Sequence, residues 1–151
     1  MRKVINFWSW VILLSLSVGF SSCSKDNSDT FYIKAKVNGK NYSAGVGTSV
    51  GTSLSGVDRV SVSGISLNND PIIMISFPID ITVGTYDISD DIWYGDYQAT
   101  YWDSSDNQYP SNSGSITITE YDKTKGLIKG TFQFTVDGYT ITDGEFCAEL
   151  P

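Results

Sequence analysis

Aspartates and aromatic residues are concentrated between Tyr86 and Tyr109. Exposed tryptophan and tyrosine rings can stack on the C–H faces of sugars, while aspartate oxygens accept hydrogen bonds from sugar hydroxyls. This mixture predicts a surface that binds a glycan or a partner protein. The candidate contact residues are Trp93, Tyr94, Tyr97, Tyr101, Trp102, Asp91 and Asp103.

The same composition also fits a purely structural interpretation. Strands favour aromatic residues, and turns favour aspartate. Trp93 and Tyr97 would then belong to the core, and the aspartates would hold turns. Both interpretations stay open from the sequence.

Closely spaced carboxylates are also what a glycoside hydrolase uses, one as an acid and one as a base or nucleophile. Asp90, Asp91 or Asp103 would serve in such an enzyme. However, the chain contains no histidine, which excludes histidine-based triads and most zinc sites. No catalytic cleft pattern accompanies the aspartates, so we expect a protein without enzymatic activity and predict no catalytic residues.

Two aspartate-rich runs, 87–91 and 103–107, offer oxygen atoms at the spacing that calcium sites use. An EF-hand loop requires glycine at its sixth position. Ile92 and Gln108 occupy that position in the two runs. We therefore predict no metal site and no cofactor, with a looser calcium site as an alternative.

A basic start, an apolar segment and a cysteine open the chain. Arg2 and Lys3 precede the uncharged residues 4–20, and two serines follow before Cys23. This order is typical of a secretory signal. It resembles the lipobox of bacterial lipoproteins, in which the cysteine after the cut is lipidated, although Phe20 replaces the usual leucine. We predict a signal peptide at 1–22, a lipidated cysteine and polar tether at 23–30, and one domain at 31–151.

The lipobox resemblance implies that the protein is held at the cell envelope by acyl chains on Cys23. Several acyl chains anchor a protein stably, whereas one alone binds marginally. The run 25–29 (KDNSD) resembles the acidic sorting stretch that directs Bacteroidota lipoproteins to the outer face of the outer membrane. A simple solvated spacer is the alternative interpretation of this run. The partner implied by this anchor is the membrane, and the expected location is the outer membrane. Both the cell surface and the periplasmic face stay open as the side on which the domain lies.

Two other interpretations of the leader stay open. One is an uncleaved transmembrane helix, for which residues 4–20 are near the lower length limit of about 17 residues. The other is a secreted protein with a disulfide between Cys23 and Cys147, the only two cysteines of the chain. If Cys23 is lipidated, we expect Cys147 to be a free thiol that packs as a small apolar residue.

The chain is acidic, with a formal net charge of −7. Removal of the leader also removes two cationic residues, which makes the mature domain more acidic still. Its field therefore repels nucleic acids and anionic lipid surfaces. We predict no nucleic-acid partner.

Residues of alternating polarity dominate the mature chain. Apolar residues recur at every second position in 31–37, which is typical of a half-buried strand. The dipeptides Asn38-Gly39 and Asp137-Gly138 are signals for type I′ hairpin turns. Residues 72–77 are apolar on both faces and predict a central strand. No helical periodicity appears outside the leader, so we predict an all-β, antiparallel β-sandwich, with a small β-barrel as the alternative.

Several stretches carry a resemblance to a known group of proteins. They are 34–39 (KAKVNG), 84–86 (GTY), 130–134 (GTFQF) and 141–146 (ITDGEF). Together they resemble small Bacteroidota lipoproteins of uncharacterised function over most of the mature chain. The resemblance implies a shared fold and brings no activity with it. A further hypothesis is a structural subunit of a surface complex, which would show an exposed sheet edge or apolar patch.

Overall fold

The computed structural model describes residues 31–64, 70–91 and 94–150. The predicted signal peptide, Cys23, the tether and Trp93 lie outside these residues. Within the described ranges the chain forms ten strands and no helix, so no helix there is long and apolar enough to cross a membrane. The strands are β1 (Tyr32–Val37), β2 (Lys40–Thr52), β3 (Asp58–Gly64), β4 (Ile72–Pro78), β5 (Gly84–Asp87), β6 (Gln98–Trp102), β7 (Gln108–Pro110), β8 (Ser113–Asp122), β9 (Leu127–Val136) and β10 (Tyr139–Glu149).

The prediction of an all-β antiparallel fold is confirmed. The described strands form one sheet in the order β5-β8-β9-β10-β1-β2-β3-β4-β6-β7. This sheet curls strongly into a half-barrel, so that its two halves face each other. The architecture therefore lies between the sandwich and the closed barrel considered from the sequence.

Strand β2 belongs to both halves of the sheet. Its residues 40–45 pair with β1, and its residues 46–52 pair with β3. Glycine and serine occupy most of the outward positions of residues 46–52. Small residues of this kind allow a strand to bend sharply.

The core fills the space between the two halves. Ile33, Ile141 and Phe146 reach it from one half, and Ile73 and Phe77 from the other, each with at most 1% of its surface exposed. The rings of Phe77 and Phe146 meet across the interior at 6.3 Å. Burying a side chain of this size stabilises a fold by about 1.5–3 kcal/mol, so the contact between the halves maintains the curl.

Asn38 joins the two hairpin turns at one rim. Its φ of 48° and the φ of 77° at Gly39 confirm the type I′ turn between β1 and β2. Its side chain accepts the backbone N–H of Thr140 at 2.8 Å and donates to the carbonyl of Gly138 at 3.2 Å. The tip of the β1–β2 hairpin is thereby fixed to the tip of the β9–β10 hairpin.

The second turn differs from its prediction. Gly138 has a φ of 81°, but Asp137 is not among the residues with positive φ. A type I′ turn needs positive φ at both central positions, so the prediction of a hairpin holds while its turn type is wrong. Asp143, with a φ of 51°, lies in a β-bulge inside β10 and not in a loop between strands.

Cys147 is fully buried and disulfide-bonded, so the expectation of a free thiol is wrong. It lies in a small cluster with Leu127, against which Phe31 and Tyr32 pack. The other cysteine of the chain, Cys23, lies outside the described residues.

Candidate functional site

The structure separates the aromatic candidates instead of gathering them on one surface. Tyr94 is 63% exposed on the connection between β5 and β6, whereas Tyr101 is a core residue with only 4% of its surface exposed. Trp102 follows Tyr101 in β6 and points to the opposite face, because side chains alternate along a strand. Tyr97 is half-buried and stacks on Tyr86 at 4.5 Å. The expectation that Tyr101 is an exposed contact ring is therefore corrected.

Asp103 holds a turn, as the structural interpretation predicted. Its carboxylate accepts the backbone N–H groups of Ser105 at 2.8 Å and Asn107 at 3.0 Å. It also accepts the side-chain amide of Asn107 at 2.9 Å and the hydroxyl of Tyr109 at 3.2 Å. The side-chain hydrogen bond from Asn107 is the main reason why the pKa of Asp103 is lowered. The hydrogen bonds of this carboxylate thus lie within its own turn and at the start of β7.

Asp91 also forms hydrogen bonds within its own loop. Its Oδ1 accepts the backbone N–H of Tyr94 at 3.0 Å, and its carbonyl accepts the N–H of Gly95 and the side-chain amide of Gln98. Asp90 beside it is exposed. The described residues contain no group of three or more histidine, cysteine or acidic side chains placed to hold a metal.

Arg59 holds this same connection against the sheet. Its guanidinium is buried and donates to the backbone carbonyls of Gly95 and Asp96, the second at 2.8 Å. It also donates to the hydroxyl of Ser76 at 3.2 Å. Burial lowers the pKa of Arg59, and nearby Asp96 acts against that shift. The arginine thus fixes the loop that carries exposed Tyr94.

A cavity of about 660 Å³ opens at the rim where β1 ends. Its volume lies within the range of about 300–1,000 Å³ that is usual for small-ligand sites. We call it the tyrosine cavity, because Tyr42, Tyr101 and Tyr139 line it. The polar groups that share its wall are Asn38, Asn41, Lys40 and Asp70.

The rings of the tyrosine cavity belong to a cluster drawn from three strands. Tyr139 of β10 lies 4.6 Å from Tyr101 of β6 and 5.1 Å from Tyr109 of β7. These tilted and edge-on arrangements are the preferred geometries for aromatic pairs. Burial is the first cause of a raised pKa at both Tyr101 and Tyr109, so both phenols stay neutral hydrogen-bonding groups.

Tyr42 forms the facing wall. Its hydroxyl accepts the backbone N–H of Ile73 at 3.4 Å. Burial raises the pKa of Tyr42. A Cβ at position 64 would collide with this hydroxyl, so glycine at Gly64 leaves the space that the ring occupies. The tyrosine is therefore held by both β3 and β4.

The tyrosine cavity is lined by groups that can stack and form hydrogen bonds. Aromatic faces, neutral hydroxyls and amide groups suit a polar ligand with C–H faces. Asp70 is the only carboxylate among the described residues that line it, whereas glycoside hydrolysis uses two. Of the predicted contact residues that the structure describes, only Tyr101 lies here.

Sequence reasoning missed Tyr42, Tyr139 and Asp70. One signal was available, since Tyr139 directly follows the turn glycine Gly138 and Tyr42 comes three residues after Gly39. Aromatic residues just behind two hairpin turns meet when the turns are paired. The pairing itself, made by Asn38, was not predictable from the sequence.

One comparison with known proteins identifies a relationship. A family described as a domain of unknown function (DUF6252) matches residues 29–147. No curated protein and no solved structure matches the chain.

Proposed function

The chain belongs to the DUF6252 family, whose function is unknown, and we propose that it is a lipid-anchored cell-envelope protein that binds a glycan in the tyrosine cavity. It acts as a binding module without catalysis. The observation that carries this proposal is the meeting of Tyr42, Tyr101 and Tyr139 around one cavity of about 660 Å³.

A glycan fits this cavity better than an ion or a purely apolar ligand. The tyrosines supply flat faces for sugar C–H groups, and their neutral hydroxyls both donate and accept hydrogen bonds. Asn41 and Asp70 add exposed polar groups at the wall. The volume accommodates one or two sugar rings.

A partner protein that adds a strand to the sheet is less favoured. The edge strands of the described sheet are β5 and β7, with four and three residues, and β7 ends in Pro110. Short edges and edge prolines are devices that discourage strand addition. The role as a structural subunit of a complex therefore lacks a suitable edge within the described residues.

The binding experiment is titration calorimetry of the mature protein against a panel of neutral and acidic oligosaccharides. Tyr139→Ala removes a ring from the cavity wall and should weaken binding at least tenfold. Tyr94→Ala removes an exposed ring that does not line the cavity and should leave affinity unchanged. Equal losses in both variants, or heat from no sugar in the panel, would refute the glycan site.

The anchor is proposed from the order of basic, apolar and small residues before Cys23. A sulfur that carries a lipid cannot also form a disulfide. Cys147 is disulfide-bonded in the structure, and Cys23 is the only other cysteine of the chain. This bond favours the secreted alternative, so the anchor proposal rests on the leader sequence alone. The outer membrane and its exposed face are the location that the lipoprotein signal supports.

Metabolic labelling with an alkyne fatty acid tests the anchor. The wild type should be labelled and should partition into detergent, whereas Cys23→Ser should do neither. Intact mass spectrometry of the mature protein distinguishes the two fates of Cys23, because acyl chains add mass and a disulfide removes two hydrogens. An unlabelled wild type with the disulfide mass would reject the anchor.

A further inference from the structure

Arg59 is a buried cation, with 7% of its surface exposed, and its partners in the described part of the chain are all neutral. Its Nε donates to the hydroxyl of Ser76, and its Nη2 donates to the carbonyls of Ser76 at 3.3 Å and Asp96 at 2.8 Å. Its Nη1 donates to the carbonyl of Gly95. No carboxylate of the described residues forms an ion pair with it. Because a buried charge is costly without an opposite charge nearby, this guanidinium favours an anion.

One donor of Arg59 is left over. A guanidinium carries five N–H groups, and the four hydrogen bonds to Ser76, Gly95 and Asp96 use four of them. The fifth, on Nη1, has no acceptor among the residues that the structure describes. A ligand that reaches the guanidinium can therefore accept this hydrogen bond.

A cavity of about 320 Å³ lies beside Arg59 on the outer face of the sheet. Val60 and Val62 point into the core, so Arg59 and Ser61 point outward along the same strand. We call this space the arginine cavity, because Arg59 is the only charged residue among the described residues that line it. Its volume lies near the lower end of the range that is usual for small-ligand sites.

Strand register opens the arginine cavity. Gly51 of β2 lies opposite Arg59 of β3. Ser76 of β4 lies between Ser61 of β3 and Gln98 of β6. No atom lies within 4 Å of the place that a Cβ at position 51 would take. Glycine thus leaves open space next to the guanidinium, which a larger side chain would fill.

A chain of hydrogen bonds extends from Arg59 to a second donor. The hydroxyl of Ser76 accepts from Nε of Arg59 at 3.2 Å and lies 3.0 Å from the hydroxyl of Ser61. A hydroxyl that accepts from a cation becomes a stronger donor, so this arrangement favours donation from Ser76 to Ser61. The hydrogen of the Ser61 hydroxyl is then available to a ligand. Two donors, one from Arg59 and one from Ser61, therefore belong to residues of the same cavity wall.

We infer that the arginine cavity binds an oxyanion, the carboxylate or the sulfate group of an acidic ligand. Guanidinium groups form charge-assisted hydrogen bonds with such groups. The net charge of −7 opposes an anion at long range, so the affinity depends on the short-range donors and is expected to be millimolar. This inference goes beyond the proposed function, because it requires neither the tyrosine cavity nor the lipid anchor.

Arg59 supplies a direct probe of the site, because it is the only arginine of the chain besides Arg2. The mature protein lacks Arg2 in both the lipidated and the secreted interpretation, so its ¹H–¹⁵N NMR spectrum should contain one arginine Nε–H signal. Sodium glucuronate and sodium sulfate are titrated separately, with glucose and with sodium chloride at equal ionic strength as controls. The signal should shift and saturate with an oxyanion, but not with glucose or chloride. Saturation by glucuronate alone would assign a carboxylate ligand, and saturation by sulfate alone would assign a sulfate group.

Three variants separate the cavity from a general salt effect, and all of them keep the arginine that is observed. Ser61→Ala removes the second donor and should weaken binding at least threefold. Ser63→Ala is the matched control, because Ser63 lies on the same face of β3 but is not among the residues that line the cavity. Its affinity should equal that of the wild type. Gly51→Val fills the open space and should abolish saturation while the circular dichroism spectrum stays unchanged.

Two results would overturn the inference. One is a shift of the Arg59 signal that does not saturate and that chloride reproduces. The other is an equal affinity in the wild type, Ser61→Ala and Gly51→Val, which would place the anion elsewhere on the protein. Either result would leave the glycan proposal for the tyrosine cavity untouched, since Tyr139→Ala tests that cavity separately.

Discussion

The ring centroids of Tyr101 and Tyr139 lie 4.6 Å apart, and this contact joins β6 to β10 across the interior of the half-barrel. The two strands are far apart in the order of the sheet. The pair therefore stabilises the curl of the sheet and also forms part of the wall of the tyrosine cavity. The same contact thus supports both the fold and the proposed binding site.

Replacing Tyr101 by alanine should destabilise the domain by about 3–5 kcal/mol, because a large buried aromatic side chain leaves a cavity when truncated. Tyr101→Phe keeps the ring and should cost less than about 1.5 kcal/mol. Urea unfolding followed by far-UV circular dichroism measures both. Similar losses of unfolding free energy in the two variants would show that the hydroxyl, and not the ring, stabilises the domain.

Arg59→Met should destabilise the domain by about 2–4 kcal/mol, because carbonyls of the 95–96 segment lose a charged donor while they stay partly buried. Amide hydrogen exchange should become faster at Gly95. The control is Lys36→Met, which breaks an exposed ion pair with Asp143 and should lower the free energy of unfolding far less than Arg59→Met does. Unchanged exchange at Gly95 in Arg59→Met would contradict the role assigned to the arginine.

Gly130→Ala should destabilise the domain by about 1–3 kcal/mol, since the core there has no room to repack. A Cβ at this position would lie 2.5 Å from the carbonyl oxygen of Thr117 and 2.6 Å from the ring of Phe146. Gly51→Ala is the matched control, because no atom lies within 4 Å of its Cβ. The control should change the free energy of unfolding by less than about 1 kcal/mol. Thermal unfolding of the two variants side by side tests the difference.

Acid should weaken the β6–β7 turn through Asp103. Its pKa in the folded protein is lowered from the ordinary 3.8, mainly by the side chain of Asn107. Such a group contributes its stability above the unfolded-state pKa and loses it as the pH falls through the lower, folded-state pKa. Asp103→Asn should therefore show a flatter decline in stability below pH 3.8 than the wild type, in urea unfolding across a pH series. An equally steep decline in Asp103→Asn and the wild type would contradict this role of Asp103.

The local features of the fold were predictable from the sequence. Asn38-Gly39 formed its type I′ turn, because the signal depends on two adjacent residues that tolerate positive φ. Residues 72–77 form the inner strand β4, flanked by β3 and β6, as their apolar composition predicted for a central strand.

The candidate site was not predictable, because it depends on strand register. Tyr101 and Trp102 are adjacent in sequence, yet one enters the core and the other faces outward. Tyr42 and Tyr139 are almost 100 residues apart and meet at one cavity only because β1 pairs with both β2 and β10. The clustering of aromatic residues along the chain thus predicted a binding surface, but it did not indicate which rings would face one another.

The position of β1 between β10 and β2 has a mechanical consequence. A force transmitted through the chain that enters at Phe31 acts along β1, perpendicular to the hydrogen bonds that it makes with both neighbours. Those bonds are loaded in shear and must rupture together, whereas a strand peeled from an edge gives way one bond at a time. A pull on the amino terminus is therefore resisted by many hydrogen bonds at once.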